Sequence, residues 1–477
     1  MQSPFDIAAD LDTPVSAYLK LRAFRPRFLL ESVEAGEQFG RYSFLGFGEA
    51  LEVRLQGDTL RVDGSASPAP DTAAALLSAL ASALERAPRP GPALAGVPFA
   101  GGPVGVAGYA MARRLAGAGA PAASGAATPA VSAVSAVPRS APSEPDALYL
   151  APRSLLVFDH LTRRIALLHD GGEAESRALR REVIAALRAG LPEPSGRGRH
   201  APPTATLGAR DFGAAVATAQ RHITAGDVYQ LVLSIRFAGA CDLPPFEVYR
   251  ALRLLNPSPY LYFFDFGDLA LAGSSPEALV RLRGRAASLR PIAGTRPRGA
   301  DVASDRAHEE ALLADPKEAA EHVMLVDLAR NDLGKVAATG TVRVEPFRSV
   351  ERYSHVMHLV SGVHGVLAPG AGPFDLFAAA FPAGTVTGAP KLRAMELIDA
   401  LEPTPRGCYA GTAGYFGHGG AMDQAIAIRT IAFQGGAYAY QAGAGIVADS
   451  VPEREHEEVL AKSAALGAAL ALAEEGL

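Results

Sequence analysis

Apolar and polar positions alternate in short runs along much of this chain, and most runs stop at glycine or proline. Phe28–Ser32, Leu51–Leu55, Asp146–Leu150, Ser154–Phe158 and Arg164–Leu168 read as strands, while Thr72–Glu85 and Glu175–Ala189 carry helical spacing. Further along, a helix from Asp211 to about Ala225 precedes strands at Val228–Phe237 and Tyr260–Phe266 and a glycine-rich, hairpin-like stretch at Ala270–Arg290. A helix over Lys317–Arg330, strands near Thr341–Val344 and Val356–Val363, and a helix over Leu392–Ala400 follow. Strands at Gly411–Phe416, Ala425–Phe433 and Ala437–Ala442 lead into a closing helix. Consecutive strands joined by short turns, rather than regular βαβ alternation, predict an α+β protein with largely antiparallel sheets.

Two low-complexity stretches interrupt the pattern. Leu115–Pro145 is almost entirely Ala, Gly, Ser, Pro and Val, and reads as a surface loop within an N-terminal domain. Gly190–Thr206 is rich in Pro, Gly and Arg and marks a boundary between domains over residues 1–200 and 206–477. A chain of 477 residues exceeds what one core usually serves, so two domains or one large elaborated one are expected. The net charge of -5 and the lack of a basic stripe argue against nucleic acid. No apolar run is long enough to span a membrane, and the first residues lack the pattern of a signal peptide. Two cysteines, Cys241 and Cys408, without CxxC spacing argue against a disulfide scaffold and against a zinc site, and suit a reducing cytoplasm. Tryptophan is absent, through chance in an Ala/Gly/Pro-rich chain or because the protein must be made when tryptophan is scarce.

Candidate chemistry begins with two glutamate pairs, Glu318/Glu321 and Glu455/Glu458. Each follows a proline-led helix start, and a spacing of three puts both carboxylates on one face. Taken alone, either pair reads more readily as helix formers on a solvated face. If the two faces meet, four carboxylates converge, and a hard cation such as magnesium makes that tolerable. Five further clusters break the apolar pattern: Gly273–Glu277, Pro291–Gly299, His355–His358, Pro382–Lys391 and Gln441–Ile446. Singly, these read as tight turns, and the histidines as hydrogen-bonded structural residues. Gly384–Lys391 lacks the Gly-Lys-Ser/Thr ending of a phosphate loop, and Arg406 stands where a nucleophile elbow at Cys408 needs glycine. Arg429, between apolar neighbours on an expected strand, calls for a fixed anionic partner such as a ligand carboxylate.

In combination, Asp-Pro-Lys-Glu-x-x-Glu-His, Pro-Ile-Ala-Gly-Thr, Gly-Thr-Val-Thr-Gly-Ala-Pro-Lys and Gln-Ala-Gly-Ala-Gly-Ile-Val resemble the motif set of chorismate-utilising enzymes. Within them the resemblance is to the large subunits (component I) of anthranilate synthases, and it runs from about Leu29 through Lys462; the stretch 115–145 departs from the pattern. It implies antiparallel sheets packed as a sandwich with flanking helices, in two subdomains. It implies magnesium at Glu321 and Glu458, with Glu318 and Glu455 completing the shell, holding the ring carboxylate of chorismate. Tyr409, Arg429, the backbone of Gly443, Ala444 and Gly445, and Lys462 match positions that hold the enolpyruvyl carboxylate. Gly294, Thr295 and Thr385 match further substrate contacts. Glu277 matches the general acid for the departing C4 hydroxyl, and His358 a histidine tied to pyruvate loss.

Two positions bear on which reaction follows. Family members that add water carry a lysine base where Gln230 stands here. Aminodeoxychorismate synthases carry a nucleophilic lysine where this chain has Ala293. Direct attack of ammonia at C2 and formation of anthranilate are thus implied. Leu30, Glu31, Ser32, Tyr42, Pro259, Tyr260 and Leu261 match the segments that bind tryptophan as feedback inhibitor. No glutaminase is legible in the chain, so the resemblance implies a separate glutamine amidotransferase subunit, in a heterotetramer with two copies of each. The alternatives are aminodeoxychorismate synthase component I and a catalytically silent, tryptophan-binding regulatory subunit.

Overall fold

The computed structural model describes residues 4–32, 40–116, 144–193, 198–352 and 356–477. Most of the stretch 115–145, part of 190–206, and His355 lie outside the described residues.

The strands form one branching antiparallel sheet and a separate three-stranded sheet. In the first limb, Gln230–Ala240 pairs with Ala437–Ile446. That strand pairs with Thr430–Gln434, which pairs with Leu269–Ser275, which pairs with Tyr260–Asp265. Tyr260–Asp265 then receives Pro26–Glu31 from the N-terminal part, with Leu261 opposite Glu31 and Phe264 opposite Phe28. In the second limb, Val104–Ala107 pairs with Thr412–Phe416, followed by Met422–Ile426, Ala278–Arg283, Ala286–Leu289 and Val363–Val366. Two long strands join the limbs by pairing with each other, Tyr42–Gln56 extending the first through Pro26–Glu31 and Ala147–Asp159 extending the second through Val104–Ala107. Strands from both halves of the sequence thus share one hydrogen-bonded sheet.

The layers meet over an aromatic core. Phe99 packs edge-on to Phe44 and Phe28 from one limb and lies 4.6 Å from the Tyr415 ring of the other. Tyr262, Phe264, Val104 and Leu148 complete this buried cluster. Alternation puts the neighbouring residues of the same strands outward, where helices cover them. Phe263 packs against Tyr18, Phe246 and Tyr249, the last two from the helix Pro245–Leu255. The C-terminal helix Pro452–Glu475 lies on Ala437–Ile446 and beside the helices Pro245–Leu255 and Ala209–Thr224. No helix among the described residues is long and apolar enough to cross a membrane.

Several elements depart from the sequence expectations. The strands expected at 146–150 and 154–158 are one strand, because Pro152 faces a bulge between Phe47 and Ala50 where a missing N–H is tolerated. The strand expected over 425–433 is two, Met422–Ile426 and Thr430–Gln434, broken at Arg429 by a left-handed backbone with φ +50. The helices Pro245–Leu255, Val302–Ala314 and Pro373–Ala380 were not anticipated. The glutamate pairs do sit near the starts of two helices, Pro316–Gly334 and Pro452–Glu475, with Asp315 capping the first.

Candidate active site

The small sheet brings two distant motifs together. Ile292–Pro297 pairs with Val356–Val360, with Thr295 opposite His358 and a bulge between Ala293 and Thr295. Gly294 fills that bulge at φ +68, and a Cβ there would come within 3.1 Å of a Glu318 carboxylate oxygen. Only glycine accepts both that backbone and that approach. His358 Nδ1 lies 3.1 Å from the Gly294 carbonyl and 3.0 Å from Thr295 Oγ1. The carbonyl can only accept, so the Nδ1 proton is placed there. Burial holds this imidazole below its usual pKa, with the nearby Arg429 acting in the same direction. The histidine is therefore neutral at pH 7.

Glu277 lies in the turn between Leu269–Ser275 and Ala278–Arg283. Its amide donates to Ser275 Oγ at 3.3 Å, and its carbonyl accepts from Ile426 N–H at 3.0 Å. Thr385 Oγ1 donates to its Oε1 at 3.1 Å. Burial pushes its carboxyl up to about 7, against smaller opposing effects of the Thr385 hydrogen bond and Lys462. A carboxylic acid poised there can give up a proton at neutral pH. The space it shares with Thr385 is about 50 Å³, room for water rather than for a ring.

The strand Ala437–Ile446 supplies a second wall. Gly443, Ala444 and Gly445 lie opposite Ser234, Leu233 and Val232. A Cβ on Gly443 would stand 2.7 Å from the Tyr409 hydroxyl, and one on Gly445 would stand 2.8 Å from Gln230 Nε2. Gln230 is buried, and its Oε1 has no hydrogen-bond partner among the described residues. The Tyr409 phenol is buried, which pushes its pKa up to about 12. Lys462 Nζ donates to the Gly443 carbonyl at 3.1 Å and pairs with Glu458 at 2.6 Å. Arg429 donates to Asn256 Oδ1 at 3.2 Å, and burial depresses its pKa. Among the described contacts its side-chain partner is a neutral amide rather than a carboxylate of the protein, which leaves the charge to a ligand carboxylate as expected. Its place is a strand break rather than a strand.

The glutamate helices are linked at their starts by Lys317 and Asp449, 3.3 Å apart. Burial raises the Glu321 pKa, with further contributions from Glu318 and, across the two helices, Glu458. Burial and Glu458 likewise raise Glu455, against Ser450 and two lysines. Carboxylates that raise one another's pKa in this way favour a cation among them, and oxygen donors suit magnesium. Glu318 is paired with Arg296 at 3.2 Å and Glu458 with Lys462. No group of three or more His, Cys, Asp or Glu that could hold a metal ion occurs among the described residues. Side-chain cations rather than a tight oxygen cage balance two of the four carboxylates.

A separate cavity of about 1250 Å³ is lined by Leu30, Glu31, Ser32, Tyr42, Pro259, Tyr260 and Leu261. Glu31 accepts from Tyr249 at 2.5 Å and from Arg253 at 3.0 and 3.1 Å. Ser32 Oγ is buried and has no partner among the described residues. Tyr260 donates to Asp423 at 2.9 Å and accepts from Arg281 at 2.7 Å. Sequence reasoning missed Arg281 and Asp423, which line the same cavity. Each sits in an ordinary alternating strand, so nothing local distinguished them.

Residues 26–467 match the family described as chorismate binding enzyme. Anthranilate synthase component 1 of Thermus thermophilus is 45 % identical over 98 % of this chain and 97 % of its own length. The protein of the same name from Pseudomonas aeruginosa is 42 % identical over 99 % and 96 %. The crystal structure of anthranilate synthase component I from Streptococcus pneumoniae superposes with a TM-score of 0.76 at 33 % identity, over 96 % of this chain and 98 % of that one. With a family match over residues 26–467 and relatives 45 % and 42 % identical over nearly the whole length, the chain belongs to the chorismate-binding enzyme family.

Proposed function

We propose that this chain is the large subunit of an anthranilate synthase, converting chorismate and ammonia to anthranilate. Full-length likeness to proteins named anthranilate synthase component 1 carries the reading. Gln230 and Ala293 sharpen it, because neither can act as the lysine base of a water-adding enzyme or as a covalent nucleophile. Ammonia has its own lone pair and needs neither.

In this reading Tyr409, Arg429, Lys462 and the backbone of Gly443, Ala444 and Gly445 hold the enolpyruvyl carboxylate, while Gly294, Thr295 and Thr385 orient the ring. Orientation of this kind converts a bimolecular encounter into an effectively unimolecular step. Magnesium, when bound by Glu318, Glu321, Glu455 and Glu458, would neutralise the ring carboxylate. Ammonia attacks C2, and Glu277 gives its proton to the departing C4 hydroxyl. A pKa of about 7 keeps much of Glu277 protonated for that task. His358, neutral and held at Nδ1 by Gly294, assists the later loss of pyruvate.

The cavity at Ser32 and Tyr260 is the proposed tryptophan site, with its buried, unpartnered Ser32 hydroxyl as the supporting feature. Residues 1–200 and 206–477 would then share the regulatory site, with the catalytic residues in 206–477. A glutamine amidotransferase subunit would supply ammonia, in a heterotetramer in the cytoplasm. The test is anthranilate fluorescence from chorismate, ammonium salt and magnesium at raised pH. Folded protein that yields no anthranilate overturns the proposal. A product identified as aminodeoxychorismate would move it to the neighbouring activity.

A further inference from the structure

Behind the strand Gln230–Ala240 lies a buried ion pair that the proposed reaction does not use. The side chains of Arg406 and Glu402 are 1 % and 4 % exposed and lie 2.7 Å apart. Such a pair survives only when every donor and acceptor is met, because both ions give up their hydration. Here Arg406 donates to both oxygens of Glu402 at 2.9 and 2.7 Å, to the Val386 carbonyl at 2.7 Å and to the Val232 carbonyl at 2.8 Å. Glu402 Oε1 also accepts the amide and hydroxyl of Ser234 at 2.9 and 2.6 Å. Gln441 Nε2 donates to the same hydroxyl at 2.8 Å.

These partners belong to the substrate-facing segments. Val386 follows Thr385, the residue bonded to Glu277. Val232 and Ser234 lie on the strand that Gln230 opens, and Gln441 lies two residues before Gly443. The guanidinium carbon also stands 5.4 Å from the Tyr409 ring centroid and 4.8 Å from that of Tyr109. Tyr109 in turn donates its amide to Gly407 at 2.9 Å, clamping the turn that carries Tyr409. One planar, multiply bonded cation therefore joins the segments bearing Thr385, Gln230, Tyr409 and Gly443. A lysine keeps the charge but has no rigid fork to span these acceptors.

We infer that Arg406 is a positioning residue of the reaction, holding the Tyr409 ring against Gly443 where the substrate's carboxylate is bound. The inference rests on the reading of Tyr409 as a substrate contact.

A double-mutant cycle on chorismate kinetics tests it, with melting temperatures measured for every variant. Arg406 is removed together with its partner, as Glu402→Gln with Arg406→Gln, so that no buried carboxylate is orphaned. Tyr409→Phe should raise KM by about fivefold or more, and the paired variant by a similar factor with kcat changed less than about threefold. Adding the paired variant to Tyr409→Phe should raise KM by less than about twofold further. Equal effects in both backgrounds, or a fall in kcat alone, overturn the inference while leaving Tyr409 as a contact. An unchanged KM in Tyr409→Phe overturns the reading of Tyr409 and the inference with it. Should the paired variant fail to fold, Arg406→Lys goes through the same cycle and is judged by the same coupling.

Discussion

Glu277→Gln keeps the shape of the side chain and removes its proton chemistry, so it separates the reaction from the fold. Burial moves the carboxyl from 4.5 to about 7. At about 1.4 kcal/mol per unit, ionising it in place costs roughly 3 kcal/mol. Because the folded pKa is raised, the stability linked to the protonated form is full below the unfolded value of 4.5 and is lost as pH rises through 7. Glutamine never ionises and escapes that loss. With an unfolding entropy of about 2.1 cal/mol/K per residue over 477 residues, 3 kcal/mol corresponds to about 3 °C. The variant should thus melt about 3 °C higher than the parent at pH 8.5, relative to their difference at pH 4.5. Turnover should move the other way, because a positioned general acid contributes about 10²–10⁴-fold. Anthranilate fluorescence, with magnesium saturating and free ammonia held constant across pH, reads the rate. Thr385→Val removes a hydrogen bond that favours the carboxylate, so it should shift the basic limb of the kcat/KM profile upward. Loss of less than tenfold in Glu277→Gln, or a downward shift in Thr385→Val, would refute the role given to this residue.

Removing magnesium with EDTA should abolish product, and Glu321→Gln or Glu458→Gln should raise the magnesium needed for half-maximal rate by about tenfold or more, read by metal titration. Ser32→Leu fills the space at a buried, unpartnered hydroxyl and should weaken tryptophan inhibition by about tenfold or more, measured as the inhibitor concentration that halves the rate. Gly443→Ala puts a methyl 2.7 Å from the Tyr409 hydroxyl and 2.8 Å from the Leu233 carbonyl. Since backbone cannot yield cheaply, it should cost about 1–3 kcal/mol in denaturant melts and raise the chorismate KM.

Where chemistry depends on a short contiguous motif, the chain announced it. Asp315 and Pro316 are residues favoured at the cap and first position of a helix, and a spacing of three aligns Glu318 with Glu321 on any helix. Gly294 was legible through the Pro-Ile-Ala-Gly-Thr motif, while its approach to Glu318 is a tertiary contact that the motif does not show. Arg429 was misread for the opposite reason. Periodicity reports which neighbours are apolar, but not that one residue turns to φ +50 and ends the strand. The long strand through Pro152 was split in two because a proline is tolerated only where the partner strand bulges, and that partner is about a hundred residues away.

Local order and the antiparallel class therefore followed from residue type and spacing, since caps, turns and alternation act over a few residues, whereas the reactive groups were named only through the resemblance of whole motifs. Everything that needs two remote segments was decided in three dimensions. The pKa of Glu277 is set by burial that no motif encodes. The pairing of Phe28 with Phe264 runs N-terminal and C-terminal strands into one sheet, and the buried tie between Arg406 and Glu402 draws on carbonyls from two other segments. Desolvation and long-range hydrogen bonding depend on what the whole chain packs around a group, and composition and periodicity carry no record of that neighbour.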